Sequence, residues 1–344
     1  MSKKIAVIPG DGIGPEIVDA TLRVLNEMNL PIEFVTVECG KRVWERKGKP
    51  IFEEDLDVIK ECDALLKGPI ETPGGRGTYQ SVTVTLRKEL ELYVNVRPFR
   101  SIPELALIPN VDIVIIRENT EGLYSGIEYR INDNVAMGLR VITKNKCEKI
   151  LGFAFDYALR LDREKVTAVH KANILKETCG LFIETAREIA SKHPTIKYDE
   201  LHVDAAAYKL LSSPQDLDII VTTNMFGDIL SDEAAGITGG LGVAASANIG
   251  DKYAMFEAVH GTAPDIVGKG IANPAGLLRA SAMMLEHEGF EEEAFKLRSA
   301  IIVALKNEHA RTPDVRGHGN TKSFIAVSYT HLRAHETRHD IVCR

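Results

Sequence analysis

Cysteine is sparse and scattered in this chain. Its five cysteines, Cys39, Cys62, Cys147, Cys179 and Cys343, include no Cys-x-x-Cys pair. That excludes a cysteine-based metal site and a disulfide framework, and it predicts a reduced, cytoplasmic protein. Excess positive charge is also missing, since 42 Lys and Arg stand against 49 Asp and Glu for a formal net charge of −7. Nucleic acid is therefore excluded as the main partner, while a local basic patch for phosphates or carboxylates stays open. No run approaches the ~20 apolar residues of a membrane span. The opening Met1-Ser2-Lys3-Lys4-Ile5 has neither a signal peptide's apolar core nor an Arg-rich transit composition. What is present is ordinary for a globular chain: 344 residues, 44% hydrophobic and 26% charged. That is enough for one large domain or two, with a core that needs no staple.

The apolar pattern alternates between strand and helix. Residues 4–8 predict a buried strand, a Gly-rich turn follows, and Pro15 opens a helix at its first position. Strands are predicted at 32–37, 64–66, 112–116, 165–169, 202–203 and 217–222. Helices are predicted at about 53–62, 147–161 and 174–190, and from about Asp228. Such alternation implies an α/β sheet covered by helices. Two stretches interrupt it: the Gly/Pro/Thr-rich loop 68–81, and residues 118–142, which look like short strands around polar turns.

Several segments carry candidate chemistry. The loop Gly10-Asp11-Gly12-Ile13-Gly14-Pro15-Glu16 joins a strand to a helix and could let backbone N–H groups approach a phosphate. Its third glycine comes one residue too early for the dinucleotide fingerprint, and it serves equally as a tight turn. Arg87, Arg97 and Arg117 each end an apolar or helical segment, and guanidiniums bind carboxylates bidentately. Together they suggest a substrate with several carboxylates. Lys171 follows a strand, where ligands of open α/β sheets bind. Asp228 and Asp232 share a helical face, and with Asp204 they offer hard oxygens to Mg²⁺ or Mn²⁺. Alternatively, Asp228 is a helix N-cap and Asp232 a first-turn acid. Gly236–Gly242 and residues 260–266 are candidate cofactor loops or turns.

The ordered motifs IPGDGIGPE (8–16), LRKELELYVNVRP (86–98), RENTEGLYSGIE (117–128), VHKANILK (169–176), TTNMFGDILSDEAAG (222–236) and FEAVHGTAPDIVGKGIANP (256–274) resemble the β-decarboxylating dehydrogenases. That family includes isocitrate, homoisocitrate, 3-isopropylmalate and D-malate enzymes, and the resemblance spans roughly residues 4 to 326. It implies the isocitrate/isopropylmalate dehydrogenase-like fold, with two α/β domains and the active-site cleft between them. One domain would comprise 1–98 plus 245–326, and the other, carrying the dimer contact, 99–244. It further implies NAD, Mg²⁺ or Mn²⁺, a small di- or tricarboxylate substrate, and a homodimer sharing its sites, with Lys171 and Asp204 supplied by the partner chain. Arg87, Arg97 and Arg117 resemble the carboxylate clamp, and Asp204, Asp228 and Asp232 the metal ligands. Lys171 resembles the general base and Tyr124 the acid, with Asn173 nearby. His260, Gly261, Thr262, Ala263, Pro264, Asp265, Ile266 and Asn273 resemble the adenosine-binding segment, and Thr72 is placed near the nicotinamide.

In the resemblance, substrate choice rests on the residues before the first arginine. Ser81 matches the isocitrate pattern, while Thr83 stands where the isocitrate enzymes resemble asparagine. Two hydroxyls could bond a γ-carboxylate and would leave an isopropyl group facing polar atoms. Isocitrate is the favoured substrate, then homoisocitrate, then 3-isopropylmalate. Asp265 implies NAD rather than NADP. A non-catalytic regulatory subunit is the reading from another class, against which the intact catalytic positions count. Residues 327–344, VSYTHLRAHETRHDIVCR, carry His331, His335 and His339 four apart. They resemble the translation of a sequencing-library adapter and are expected to stand outside the native fold rather than to bind metal.

Overall fold

The computed structural model describes residues 2–75 and 77–342, with side chains described for 2–75 and 77–333. Its strands are β1 (Lys3–Ile8), β2 (Ile32–Thr36), β3 (Ala64–Lys67), β4 (Val94–Arg100), β5 (Asp112–Glu118), β6 (Glu128–Asn132), β7 (Val135–Gly138), β8 (Lys165–His170), β9 (Lys197–His202), β10 (Ile219–Thr222), β11 (Ala245–Ile249) and β12 (Ala254–Ala258). Its helices are α1 (Gly14–Glu27), α2 (Lys41–Lys47), α3 (Glu53–Lys60), α4 (Val82–Glu89), α5 (Lys144–Arg160), α6 (Thr178–Ala190), α7 (Val203–Ser212), α8 (Asn224–Thr238), α9 (Ala275–His287), α10 (Glu291–Lys306) and α11 (Thr321–Val342).

Ten strands form one sheet in the order β2-β1-β3-β12-β11-β4-β5-β10-β8-β9, and β6 and β7 make a separate antiparallel hairpin. The outer parts of the large sheet are parallel, which explains the fully buried apolar strands such as β3 and β10. At its centre β12, β11, β4 and β5 run antiparallel to one another. Because side chains alternate along a strand, this centre presents two unlike faces. Asn95, Arg97, Asn248 and Glu257 are buried polar groups at one parity, and Val94, Val96, Ala247 and Phe256 are core residues at the other.

Some elements depart from the sequence expectation. The segment 202–203 belongs to a six-residue strand, β9, whose residues are at best half-buried, so it carries a weak apolar signal at the sheet edge. Helix α6 begins at Thr178, not 174, because the amides of Ile174 and Leu175 close a separate turn on the Lys171 carbonyl. Helix α8 begins at Asn224 with Thr223 at its cap, so Asp228 is not an N-cap and lies inside the helix. Helix α11 runs on through residues 327–342, with Ser328 and Leu332 buried, while Cys343 and the side chains of His335 and His339 lie outside the described residues. Among the described residues no helix is long and apolar enough to cross a membrane.

Candidate active site

Three elements bring three guanidiniums to one cleft. Arg87 comes from the last turn of α4, Arg97 from β4 and Arg117 from the end of β5, and all three are buried. Helix α4 is started by Ser81, whose hydroxyl accepts the Val84 amide at 3.4 Å, a capping interaction. Helix α8 lies against Arg117 only because residue 227 is glycine: a Cβ there would sit 2.6 Å from the Arg117 Cγ. A cleft of about 240 Å³ opens over these groups, lined also by Ser81, Thr83, Tyr124, Asp228, His260, Gly261, Lys67 and Glu257.

Each guanidinium is held by partners from distant parts of the chain. Arg87 donates from Nε to Asn248 Oδ1 (3.1 Å) and from Nη2 to Glu257 Oε1 (3.0 Å). Arg97 donates from Nε to Asn95 Oδ1 (2.6 Å) and from Nη1 to Ser231 Oγ (2.6 Å). Arg117 donates from Nε and Nη2 to Asn224 Oδ1 (3.0 and 2.7 Å) and pairs through Nη1 with Asp228. Asn248 Oδ1 also accepts from Asn95 Nδ2 (2.9 Å) and Asn119 Nδ2 (2.8 Å), so one side chain ties the Arg87 and Arg97 supports together. Lys67 Nζ lies 2.7 Å from Glu257 Oε2. Burial pushes the Glu257 carboxyl up, but Lys67 and Arg87 outweigh it and hold the group far below the usual carboxylate range.

The sequence reading did not single out Glu257, Asn248, Asn95 or Lys67. Their signal was a charged or amide residue inside an otherwise apolar strand, as in Ala254-Met255-Phe256-Glu257-Ala258.

Tyr124 donates its hydroxyl to Asp228 Oδ2, and the Arg117 guanidinium lies 5.1 Å from its ring centroid. Burial, then the bond to Asp228, pushes the Tyr124 phenol up, so it stays protonated at neutral pH. Asp228 is raised by burial but carried below its ordinary value by Arg117, Tyr124 and Arg97. Asp232, one turn on, lies 3.8 Å from Arg97 Nη1, and burial pushes its carboxyl up, with Asp228 adding to the rise.

Loops converge on the other side of the cleft. Gly12 adopts φ +58°, and a Cβ on it would meet the Thr262 carbonyl oxygen at 2.1 Å, while the Ile13 amide donates to that oxygen at 3.0 Å. Asp11 accepts the amides of Lys41 and Glu71, tying the first loop to α2 and to loop 68–81. Ala263 takes φ +40°, a left-handed conformation that costs a non-glycine residue of order 1 kcal/mol. His260 Nε2 is buried without a hydrogen-bond partner. Pro264, Asp265 and Ile266 continue this segment as a short 3₁₀ turn. Thr72 donates to Ser81 Oγ at 3.1 Å. Asn273 stands apart from the cleft lining, donating to Asp314 (2.9 Å) and accepting the Ala275 amide.

Lys171, Asn173 and Asp204 are likewise absent from that lining. Lys171 Nζ pairs with Asp204, whose side chain is 68% exposed, and Asn173 is exposed. Among the described residues no three His, Cys, Asp or Glu side chains converge as a metal site; this chain brings together Asp228 and Asp232 of the three acids.

The family profile described as isocitrate/isopropylmalate dehydrogenase matches residues 4–327. The chain belongs to that family. Its members are decarboxylating dehydrogenases of malate-type acids. Among relatives, the 3-isopropylmalate dehydrogenase of Archaeoglobus fulgidus is 46% identical over 94% of this chain and 97% of that protein. The homoisocitrate dehydrogenase of Methanocaldococcus jannaschii is 45% identical over 93% of this chain and 94% of its own length. The crystal structure of isocitrate dehydrogenase from Methylococcus capsulatus superimposes with a TM-score of 0.93, at 46% identity, covering 97% of this chain and all of that one. The three are named for three different substrates.

Proposed function

We propose that the chain is an NAD-dependent, Mg²⁺- or Mn²⁺-requiring dehydrogenase that oxidises and decarboxylates isocitrate. The observation that carries this reading is the buried triplet Arg87, Arg97 and Arg117 opening into one cleft beside Tyr124 and Asp228. Three fixed guanidiniums suit a substrate with several carboxylates, and Ser81 and Thr83 on the same wall offer hydroxyls to a γ-carboxylate. An isopropyl group there would face those hydroxyls and be poorly matched.

The acids fit a hard divalent cation. Asp228 and Asp232 lie one helical turn apart beside Arg97, and burial, with the Asp228 charge adding to it, pushes the Asp232 carboxyl up; a cation between two carboxylates would offset both effects. Asp204 of the partner subunit would complete the set. When bound, such an ion polarises the substrate hydroxyl and stabilises negative charge developing on its oxygen. The loop segment fits a nicotinamide dinucleotide: it holds the unpartnered His260 Nε2 and the strained Ala263, and Asp265 can accept both ribose hydroxyls. The partner subunit's Lys171 would take the substrate hydroxyl proton; NAD, held by the loop segment, would supply the acceptor for the hydride lost from the carbon bearing that hydroxyl. The carboxylate β to the new carbonyl departs as CO₂. Tyr124, kept protonated by its burial and its bond to Asp228, donates a proton to the carbon that bore the departed carboxylate.

Sharing of the site between two copies is supported by surface. Lys171 and Asp204 pair outside the cleft of their own chain. The β6–β7 hairpin exposes Tyr129, Ile131, Val135 and Met137, and α7 and α8 expose Tyr208, Leu211 and Ile229. Apolar groups at this density mark an association surface. The test is NADH formation with Mg²⁺ from isocitrate, homoisocitrate, 3-isopropylmalate and D-malate, compared by kcat/KM. Isocitrate should lead; a higher value for any of the other three reassigns the substrate, and no turnover with any of the four revives the regulatory subunit.

A further inference from the structure

The rear face of the central strands carries a groove that nothing in the proposed reaction uses. It has two adjoining lobes of about 500 and 460 Å³, which share Tyr157, Leu161, Met283 and Glu286. Each lies within the 300–1,000 Å³ usual for small-molecule sites. The floor is the apolar parity of the strands that bear the arginines in front: Val96 of β4, Ala247 of β11 and Phe256 of β12. Helix α5 forms one wall with Phe153 and Tyr157, and α9 and α10 form the other.

The charge in this groove is unbalanced. Four guanidiniums, Arg100, Arg163, Arg279 and Arg298, line the second lobe against two carboxylates, Asp112 and Glu286. Three of the four are paired: Arg100 and Arg163 with Asp112, and Arg298 with Glu286. Arg279 is not. Its Nη1 donates to the Val243 carbonyl at 2.6 Å, and the charged neighbour acting on it is the like-charged Arg298. Burial holds its pKa down to about 10, so it is still a cation at neutral pH. Arg279 is half-buried with no carboxylate partner among the described residues, so its charge is poorly compensated, and an anion beside it removes that cost.

We propose that the rear groove binds a small amphipathic anion, its apolar body against Phe256, Tyr157 and Met283 and a single carboxylate or phosphate head on Arg279. Charge complementarity selects the head and the apolar floor selects the body. The cleft of the proposed reaction has the opposite character, with three guanidiniums gathered for several carboxylates.

The test is fluorescence titration with 8-anilinonaphthalene-1-sulfonate, an aromatic body bearing one anionic group. Wild-type protein should show saturable binding of one probe per chain. Arg279→Met, which keeps the stem and removes the charge, should weaken it at least tenfold, and Met283→Trp, which fills the shared waist, should abolish it. Octanoate and octyl phosphate compete in separate arms; displacement by either supports the site and identifies its head group. Isocitrate should not displace the probe. Thermal melting checks the variants, and Arg279→Met should melt close to wild type, since it loses the bond to the Val243 carbonyl and also removes a poorly compensated charge. If Met283→Trp melts early, Arg279→Met alone decides. Unchanged probe affinity in Arg279→Met, displacement by isocitrate, or failure of both aliphatic anions to compete overturns the proposal.

Discussion

The buried arginines and the Lys171–Asp204 pair belong to the same proposed reaction but live in opposite surroundings. Arg117 is 1% exposed and bonded on every side within its own chain, whereas Asp204 is 68% exposed and its partner Lys171 is 25% exposed. Groups that are buried and fully bonded are fixed when the chain folds. Groups paired only with each other at the surface are weakly held, because solvent screens an exposed ion pair. In the proposed reaction, half of the machinery is therefore set by folding and half would await a neighbour. Substitution should separate the two: changes among the arginine supports strike stability and turnover together, and changes at Lys171 or Asp204 strike turnover alone.

The largest effect is expected at Lys171. Lys171→Met should lower kcat by roughly 10²–10⁴-fold, the range for loss of a general base, with no change in melting temperature. Tyr124→Phe should also be impaired. Co-expression of the two variants should recover turnover to roughly a quarter of wild type. Random pairing makes about half the dimers mixed, and each mixed dimer holds one intact site. Failure to recover activity in purified mixed dimers would place Lys171 in its own chain's cleft and erase the comparison.

Glu257 is the matching probe of the buried half. Glu257→Gln keeps the shape but leaves Lys67 and Arg87 buried without their shared counter-charge, which costs about 3–5 kcal/mol. The pH dependence has a definite sign. Glu257 is held below its ordinary value of 4.5 in the folded protein, so the unfolded chain binds the proton first as pH falls. The stability it contributes is present above about pH 4.5 and drains away below it. The Gln variant should be less stable at pH 7 and lose less on acidification, which urea titrations at pH 7 and pH 4 would measure. Parallel losses at both pH values would show that the carboxylate's charge is not what holds the arginines.

These supports mark where sequence reasoning stopped. The alternating strands and helices were legible because buried parallel strands are runs of apolar residues, and the arginines and acids stood out by motif. The partners of the arginines were not legible. Arg87 meets Glu257 across 170 residues and Arg117 meets Asn224 across 107, so no local pattern joins them. Strands β4, β11 and β12 mix apolar and polar residues because one face lines the cleft and the other lines the core, and that mixture hides the strand. Asp228 was open to reading as a helix cap because the true cap, Thr223, lies only five residues upstream.

A smaller effect is expected on the exposed loop that resembles the adenosine segment. Asp265→Lys with Ile266→Tyr should move preference from NAD toward NADP by roughly 10–100-fold in the ratio of kcat/KM values, as a repelling carboxylate becomes an attracting ammonium beside the 2′-phosphate. Melting temperature should hold, since Asp265 is exposed. A wild-type enzyme using both cofactors equally would remove Asp265 from that role.

Ser81 tests the boundary between the two regions, because it does structural and recognition work at once. Its hydroxyl caps α4 and accepts from Thr72, and the same side chain lines the cleft. Ser81→Ala should therefore cost about 1 kcal/mol of stability through the lost cap, and its higher KM for isocitrate would be ambiguous by itself. Ser81→Asp resolves this. Aspartate caps a helix about as well as serine, so stability should return to the wild-type level. The new carboxylate, however, faces the γ-carboxylate of isocitrate and repels it. D-malate lacks that group, so its KM should rise far less. Two kinetic ratios, isocitrate against D-malate in each variant, then separate the cap from the contact. A KM for isocitrate that recovered along with stability in Ser81→Asp would make Ser81 a helix cap alone and leave Thr83 to read the substrate.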